Sequence, residues 1–212
     1  MDATWAVVPV KDFARAKTRL SPVLDPAARA TLARELFDHV LDVLGACSGL
    51  SGILVATDSD LVASLAAHRS AYVARDSGAL PLGRVVDEAL VTLVGAGARS
   101  ALVLMSDLPA IRPHEIDELL AAHATHEVVA APDRHERQTN ALVLRLPARV
   151  RTRFGETGSY ELHRADALSC GLSFGAVRSS RLALDLDEPE DLVLWRHAEH
   201  TLKPSAHRIA RE

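Results

Sequence analysis

The chain has 212 residues, of which 48% are hydrophobic and 25% charged, and its net charge is −4. This length and apolar content suit one compact domain, and the acidic balance without a long basic run argues against an extended nucleic-acid-binding surface. The first residues lack a signal-peptide pattern and no segment has the length of a membrane helix, so we expect a cytoplasmic protein without membrane contact. We predict a single domain over residues 1–198, followed by a polar C-terminal tail over 199–212.

Cysteine and histidine patterns argue against a disulfide framework and against a zinc site. Cys47 and Cys170 are far apart in the sequence and form no CxxC motif, which fits a reducing compartment. His123 and His126 lie three residues apart, but HExxH does not occur and no cysteine pair supports them. The chemistry of the chain must therefore come from other side chains.

Strands and helices alternate in the predicted structure. Short apolar runs predict buried strands, the first over 5–9 and 52–57 and others near 71–74, 101–105, 128–131 and 141–146. Apolar residues at helical spacing follow Asp25 and Pro26, a cap and a first-turn proline, and end at Gly45. Further helices are predicted over 60–68 and 113–123 and near 160–168. This alternation is typical of an α/β fold built on a mostly parallel sheet.

Two segments could meet phosphates. Four cations follow the first predicted strand within nine residues, namely Lys11, Arg15, Lys17 and Arg19. They suit a polyphosphate, although a solvated surface segment explains their charge equally well. The loop SGALPLG, which ends at Gly83, precedes a helix whose backbone N–H groups could meet a ligand. Neither GxGxxG nor GxxxxGK[ST] occurs, which argues against a Rossmann dehydrogenase and a P-loop enzyme.

Asp107 stands just beyond the apolar run Ala101–Met105. In open α/β sheets, ligands bind beyond the carboxyl ends of the strands, so this carboxylate is placed to face a ligand. The alternative is that Asp107 caps the helix beginning near Pro113, but it lies too far upstream for that role.

Two further carboxylates share one face of the segment LALDLDEPEDL. In an extended chain Asp185 and Asp187 point the same way, about 7 Å apart, while Leu184 and Leu186 point into the core. Like charges repel, so we expect a cation between them, most simply Mg²⁺. A helix start at Pro189 would explain Asp187 but not Asp185.

Polar residues also gather at two later boundaries. Thr139 and Asn140 end the loop PDRHERQTN just before an apolar strand. Gly155, Gly158 and Ser159 belong to FGETGS, before a predicted helix, where backbone N–H groups make a ready anion site. Ser159 could alternatively serve only as the N-cap of that helix.

Several segments, in this order, resemble the guanylyltransferase family of coenzyme F420 biosynthesis: WAVVPVK, AKTRL, SDLP, PDRHERQTNAL, FGETGS and LALDLDEPEDL. The resemblance extends from Trp5 to about Trp195. It implies a nucleotide-diphospho-sugar transferase-like fold, a three-layer α/β/α sandwich. It also implies a Mg²⁺-dependent enzyme that transfers GMP from GTP to a phosphorylated three-carbon acid and releases pyrophosphate. The acid could be phosphoenolpyruvate, 2-phospho-L-lactate or 3-phospho-D-glycerate.

The resemblance assigns roles to residues in four groups. The expected metal ligands are Asp107, Asp185 and Asp187. The expected catalytic residues are Asp107, Lys17 and Arg19. Acid binding is expected of Thr139, Asn140, Gly155, Gly158 and Ser159. Nucleotide binding is expected of Pro9, Lys11, Lys17, Arg19 and Gly83.

Three departures from the family pattern keep alternatives open. The segment PLGRVVDEAL replaces a GLN motif, QTNAL places Gln138 where the family has glycine, and FGETGS is one residue longer than FGxGS. A nucleotidyltransferase for another base or a sugar phosphate, or a non-catalytic nucleotide-binding homologue, therefore stays open, as do the acid and the substrate-contacting glycine. We also expect a homodimer and hand-over of the product to the next F420 enzyme.

Overall fold

A computed structural model describes residues 3–202 of the chain. Seven strands occur in chain order: β1 (Thr4–Pro9), β2 (Gly52–Thr57), β3 (Tyr72–Arg75), β4 (Ser100–Leu104), β5 (Val128–Pro132), β6 (Thr139–Arg145) and β7 (Phe174–Ala176). Six α-helices lie between and after them: α1 (Pro26–Gly45), α2 (Asp60–His68), α3 (Leu82–Gly95), α4 (Pro113–His123), α5 (Ser159–Ser169) and α6 (Pro189–Leu202). Two short 3₁₀ turns, Phe13–Arg15 and Thr18–Leu20, follow β1.

The strands form one sheet in the order β3-β2-β1-β4-β6-β5-β7. The pairs β3–β2, β2–β1, β1–β4 and β5–β7 are parallel, whereas β6 runs antiparallel to both β4 and β5. The mostly parallel sheet expected from the sequence is therefore confirmed. β7 was not predicted, because three residues are too few to show a hydrophobic period.

Helices cover both faces of the sheet, which makes three layers. Residues of α1, α2 and α4 share one hydrophobic cluster with Ala6 and Val8 of β1. Residues of α3 and α5 share a second cluster with Val7. Neighbouring strand residues thus enter opposite cores, as the alternation of side chains along a strand requires. This arrangement confirms the expected α/β/α sandwich.

The helix ends follow the local signals in the sequence. Asp25 accepts a hydrogen bond from the backbone N–H of Ala28 at 2.8 Å, so it caps α1 as predicted. At the start of α4, Arg112 takes the N-cap position and its N–H donates to the Glu115 carboxylate at 3.0 Å. This helix therefore begins without Asp107, and the cap explanation of Asp107 is wrong.

The last described helix passes the predicted domain boundary. α6 continues to Leu202, so residues 199–202 of the predicted tail are helical, and residues 203–212 lie outside the described residues. Among the helices within residues 3–202, none is long and apolar enough to cross a membrane.

Candidate active site

Three aspartates meet beyond the carboxyl end of β4. Asp107 follows the strand by three residues, and the backbone N–H of Leu186 donates to the Asp107 carbonyl at 3.1 Å. This bond carries Asp185 and Asp187 to the same edge of the sheet. Leu184 and Leu186 are buried, so they anchor the segment as the alternation predicted. The sequence-based expectation that the three carboxylates converge is confirmed.

Lys17 joins two of these carboxylates. Its Nζ lies 2.7 Å from Oδ2 of Asp107 and 2.9 Å from Oδ1 of Asp187, and its side chain is only 7% exposed. Burial disfavours the ammonium charge, but the two carboxylates outweigh burial and raise the pKa of Lys17 above its usual value. Lys17 is therefore a fixed positive charge at the centre of the site.

The backbone at Lys17 is left-handed, with φ 54° and ψ 36°. Residues other than glycine rarely adopt this conformation, because it crowds the Cβ atom. Such conformations cluster at functional sites, where contacts elsewhere compensate for them. Here the two ion pairs of Lys17 hold the ammonium in place and are contacts that can compensate for this backbone conformation.

The rest of the cationic segment is more open. Arg19 is 71% exposed, and its guanidinium stands 4.0 Å from Asp187 and 3.9 Å from Glu188. Lys11 is also exposed. The solvated-surface explanation of the cluster is therefore wrong for Lys17, whereas Lys11 and Arg19 do face solvent beside the site.

Negative charge exceeds buried positive charge at this point. Burial, followed by the charges of Asp107 and Asp187, raises the pKa of Asp185 to about 7. The Asn140 amide is 3.4 Å from Asp185 Oδ1 and offsets this only in part. Three carboxylates thus surround the single ammonium of Lys17, and a further cation would neutralise the excess negative charge.

Carboxylate oxygens are ligands that Mg²⁺ prefers, so the donor chemistry of the three aspartates fits that ion. In the part of the chain that the structure describes, no three acidic, histidine or cysteine side chains stand close enough together to hold a metal ion. The ammonium of Lys17 lies between Asp107 and Asp187 instead. Lys17 uses one oxygen of each carboxylate, Oδ2 of Asp107 and Oδ1 of Asp187, so the second oxygen of each would be the one to contact an ion.

Two adjoining cavities meet at these aspartates. The first, which we call the lysine cavity, has a volume of about 200 Å³ and is lined by residues including Pro9, Lys11, Arg15, Lys17, Leu82, Met105, Ser106, Asp107 and Asp187. The second, the threonine cavity, has a volume of about 270 Å³ and is lined by residues including Arg19, Leu82, Met105, Asp107, Gln138, Thr139, Asn140, Gly155, Thr157, Ser159, Asp185 and Asp187. Four residues line both: Leu82, Met105, Asp107 and Asp187. The carboxylates therefore stand at the junction of one continuous cleft.

The far wall of the threonine cavity is made of neutral hydrogen bonds. The backbone N–H of Thr139 donates to Ser159 Oγ at 3.0 Å, and Ser159 Oγ lies 3.0 Å from Gln138 Oε1, to which it donates. Gly158, with φ 77°, occupies the N-cap position of α5. The N-cap explanation of Ser159 is therefore wrong, because its hydroxyl joins β6 to α5 across the cavity wall.

The arrangement of aspartates, lysine and paired cavities can be compared with known proteins. The family model described as "Guanylyl transferase CofC like" matches residues 4–203. The chain belongs to the CofC-like guanylyl transferase family. The resemblance inferred from separate motifs is thereby confirmed over nearly the whole chain.

Relatives of the CofC-like family carry three substrate names. A phosphoenolpyruvate guanylyltransferase of Sphaerobacter thermophilus is 40% identical over 194 residues, which covers 89% of this chain and 90% of the relative. A 3-phospho-D-glycerate guanylyltransferase of Phenylobacterium zucineum is 32% identical and covers 89% and 87%. A 2-phospho-L-lactate guanylyltransferase of Methanothermobacter thermautotrophicus is 32% identical and covers 89% and 82%.

Solved structures agree on the fold. A protein of Desulfovibrio desulfuricans G20, assigned by name as a nucleotide-diphospho-sugar transferase, superposes with a TM-score of 0.76 at 19% identity, covering 99% of this chain and 92% of that one. A cytidylyltransferase of Leptospira borgpetersenii gives a TM-score of 0.65 at 14% identity, covering 96% and 89%. The expected nucleotide-diphospho-sugar transferase-like fold is confirmed.

Most of the residues predicted for the site line the cleft of this CofC-like chain. Pro9 and Lys11 border the lysine cavity, and Gly155 borders the threonine cavity. Gly83 has a packing role: a Cβ at this position would come within 2.8 Å of the Thr152 carbonyl oxygen. The close approach of α3 to that backbone explains this glycine without any ligand.

Asn140 forms hydrogen bonds to the segment that carries Asp185. Its amide donates to the Leu182 carbonyl at 2.9 Å and approaches Asp185 at 3.4 Å, so it fixes both ends of the 182–185 segment. It is one of the first two residues of β6, which begins at Thr139, two residues earlier than predicted. The polar pair therefore lies inside the sheet and not in the preceding loop.

Two buried residues of the site were not identified from the sequence. Asp191 is 5% exposed, accepts the N–H groups of Asp187 and Glu188 at 3.0 and 2.7 Å, and pairs with Arg134 at 2.5 Å. In the sequence, Asp191 stands in the first turn of a helix that begins at Pro189, where an acidic residue is common because it favours the helix dipole. His163 lies behind Thr139, and its position four residues after Ser159 on one helix face was the available signal.

Proposed function

We propose that this protein transfers GMP from GTP to a phosphorylated three-carbon acid in coenzyme F420 biosynthesis, with release of pyrophosphate. Phosphoenolpyruvate is the first candidate acceptor, because it is named for the 40% identical relative. The observation that carries the proposal is the buried Lys17 ammonium between Asp107 and Asp187, where the two cavities meet. A transfer between two anions needs fixed positive charge at the point where they approach each other.

The two cavities suit the two substrates. We assign the triphosphate to the lysine cavity, beside Lys11, Lys17 and Arg15, and the acid to the threonine cavity. A smaller cavity of about 20 Å³ adjoins the lysine cavity along Pro9, Lys11 and Leu82, and it has room for about one water molecule. We therefore assign the guanosine to this side of the cleft and not to the small cavity itself. Val85 lines the small cavity and is one of the departures from the family pattern, so base preference is expected to depend on this side of the cleft.

In the proposed reaction, a phosphate oxygen of the acid attacks the α-phosphorus of GTP. A new P–O bond forms, the bond from the α-phosphorus to the bridging oxygen breaks, and pyrophosphate leaves with that electron pair. Lys17 neutralises charge on the phosphates, Arg19 approaches from the solvent side, and the wall formed by Thr139 and Ser159 orients the acid. No covalent intermediate with the protein is needed, because positioning and charge neutralisation suffice for phosphoryl-type transfer.

We further propose that the enzyme requires Mg²⁺. Asp107, Asp185 and Asp187 would hold the ion, and when bound it would neutralise phosphate charge. The excess of negative charge around Asp185 supports this assignment. Homodimer formation, a cytoplasmic location and direct hand-over of the product stay predictions.

Mass spectrometry of the products tests the proposal. The enzyme is incubated with GTP and each of the three acids in turn, with and without Mg²⁺, and the same series is repeated with CTP, ATP and UTP. We expect a GDP-linked acid and pyrophosphate only when GTP, one acid and Mg²⁺ are all present. Transfer from CTP but not GTP would favour a different base specificity. Binding of GTP without transfer to any acid would favour a non-catalytic homologue.

A further inference from the structure

His163 lies in the core beside the threonine cavity and forms hydrogen bonds to two of the segments around it. It lies on α5, is 1% exposed, and packs edge-on against Phe154 with ring centroids 5.0 Å apart. Its Nε2 is 2.8 Å from the backbone nitrogen of Arg153, and its Nδ1 is 2.9 Å from Thr139 Oγ1. One buried ring therefore bridges the loop before Gly155 and the first residue of β6.

The two bonds fix which nitrogen carries the proton. A backbone N–H can only donate, so Nε2 must accept from Arg153 through its lone pair. A neutral imidazole then has its single hydrogen on Nδ1, which donates to the Thr139 hydroxyl at 2.9 Å and also faces the backbone carbonyl of Ser159. Burial lowers the pKa of His163 to about 4, which keeps the ring neutral near pH 7.

This tautomer also decides what Thr139 can do. Because its oxygen accepts from His163, its own hydrogen remains available, and within residues 3–196 Thr139 Oγ1 has no other hydrogen-bond partner. Thr139 lines the threonine cavity beside Gly155 and Ser159. The hydroxyl can therefore donate into that cavity, and the ligand atom it meets must be an acceptor.

We infer that His163 is a positioning residue that makes the Thr139 hydroxyl a hydrogen-bond donor to an anionic oxygen of the acid substrate. The inference rests on the proposed function for the identity of that ligand, and it adds the chemical group recognised there: an ionised carboxylate or phosphate oxygen. Hydrogen bonds to ionised acceptors are stronger than those between neutral groups, so this contact favours the acid over an uncharged analogue.

Two substitutions separate the two bonds of the ring. In His163→Asn, the side-chain amide nitrogen can take the place of Nδ1 and still donate to Thr139. In His163→Gln, the amide oxygen can reach the place of Nε2 and still accept from Arg153, but the donor to Thr139 is lost. A purely structural role would predict that preserving the Arg153 bond, in His163→Gln, preserves function better.

The readout is the KM for phosphoenolpyruvate compared with the KM for GTP. We expect His163→Gln to raise the acid KM on the order of 10- to 100-fold while the GTP KM stays unchanged, and His163→Asn to stay within about threefold of wild type. The same increase is expected in Thr139→Val, and the double variant His163→Gln/Thr139→Val should be no worse than Thr139→Val alone. Unchanged acid KM in His163→Gln, or equal increases for both substrates, would overturn the inference.

Calorimetry keeps this test separate from the test of the reaction. Binding of phosphoenolpyruvate is measured in the presence of a GTP analogue whose bond between the α- and β-phosphates cannot be cleaved, so that no turnover occurs. Wild type that binds the acid with His163-dependent affinity but forms no product would contradict the proposed function and support the inference. Equal acid affinity in wild type and His163→Gln, together with normal wild-type turnover, would contradict the inference alone. Wild type that binds no acid would contradict both.

Discussion

The two ends of the cleft are held together by different chemistry. At the aspartate end, Lys17 is paired with Asp107 and Asp187 by charge, and Asp187 is still 41% exposed. At the threonine end, Thr139, Ser159 and His163 are all buried and joined by neutral hydrogen bonds. One end is an assembly of charges that is buried at Lys17 and open to solvent at Asp187, and the other is a network of neutral groups within the core.

This difference suggests that the two ends of the cleft have different roles in the reaction. The pairs of Arg19 with Asp187 and Glu188 face solvent and can exchange partners at modest cost when phosphates or a cation enter, whereas breaking the buried pair of Lys17 and Asp107 costs more. A satisfied buried network cannot rearrange without leaving polar groups unpaired, so it keeps its shape. The aspartate end is therefore suited to the charge changes of the reaction, and the threonine end to selecting and orienting the acid.

The largest effect on turnover is expected at the aspartate end, from Asp107→Asn. This change removes a carboxylate that fixes Lys17, and we expect turnover to fall on the order of 10²- to 10³-fold or more, with little loss of stability. Pyrophosphate release from GTP and phosphoenolpyruvate measures it. Asp117→Asn, on the exposed side of α4, is the matched control and should be near wild type. Wild-type turnover in Asp107→Asn would remove Asp107 from the mechanism.

The threonine end should affect how the free energy of unfolding depends on pH. The unfolded chain takes up a proton at His163 near the ordinary histidine pKa of 6.5, whereas the folded protein does so only near a pKa of about 4. The stabilisation from keeping the ring neutral is therefore present above pH 6.5 and is lost as the pH falls toward 4, amounting to about 3 kcal/mol.

Urea unfolding at pH 7 and at pH 4.5 measures this contribution. We expect His163→Asn to lose less stability than wild type over this interval, because the variant lacks the titrating ring. His114→Asn is the control, since His114 is exposed and pairs with Glu118 on the surface of α4. Identical pH dependence in wild type and His163→Asn would show that the ring is not held neutral.

An intermediate effect is expected from Asp191, which holds the backbone of Asp187 at the aspartate end. Asp191→Asn removes the charge that pairs with Arg134 and weakens the acceptor of the Asp187 and Glu188 N–H groups. We expect a loss of about 2 kcal/mol in the free energy of unfolding and a reduced turnover, because Asp187 is held less firmly. Glu190→Gln on the same helix is exposed and serves as the control. Turnover equal in the two variants would separate Asp191 from the site.

The smallest effect concerns the backbone of Lys17. Lys17→Ala and Lys17→Gly both remove the ammonium, and both should lose turnover alike. Because φ is 54° at this position, the glycine variant should be more stable than the alanine variant by about 1 kcal/mol. Thermal or urea unfolding of the pair measures the difference. A more stable alanine variant would mean that the left-handed turn relaxes once the ion pairs are gone.

The two ends also differ in how far the sequence could predict them. Asp107, Asp185 and Asp187 each stand where an apolar strand or an alternating segment ends, so elementary topology brings them to one edge of the sheet. The alternation of strands and helices likewise predicted the fold, apart from the three-residue β7. Local sequence patterns were therefore enough to predict a residue's position when that position depends only on where the residue stands along its own strand or segment.

The neutral network could not be predicted in that way. The bond between His163 and Thr139 joins residues 24 positions apart, and the support of Asp187 by Asp191 depends on the turn before α6. Ser159 looked like a helix cap because the sequence does not show that β6 passes beside it. Such pairings depend on the packing of one element on another, which hydrophobic period and turn residues do not encode.

The claim that both substrates meet at the three aspartates is tested most directly by a crystal structure with Mn²⁺, phosphoenolpyruvate and a GTP analogue whose bond between the α- and β-phosphates cannot be cleaved. We predict anomalous density for the ion in contact with Asp107 and with Asp185 or Asp187, the α-phosphate beside it, and a phosphoenolpyruvate oxygen accepting from Thr139. Nucleotide and acid bound elsewhere, with Lys17 still bridging Asp107 and Asp187, would contradict it.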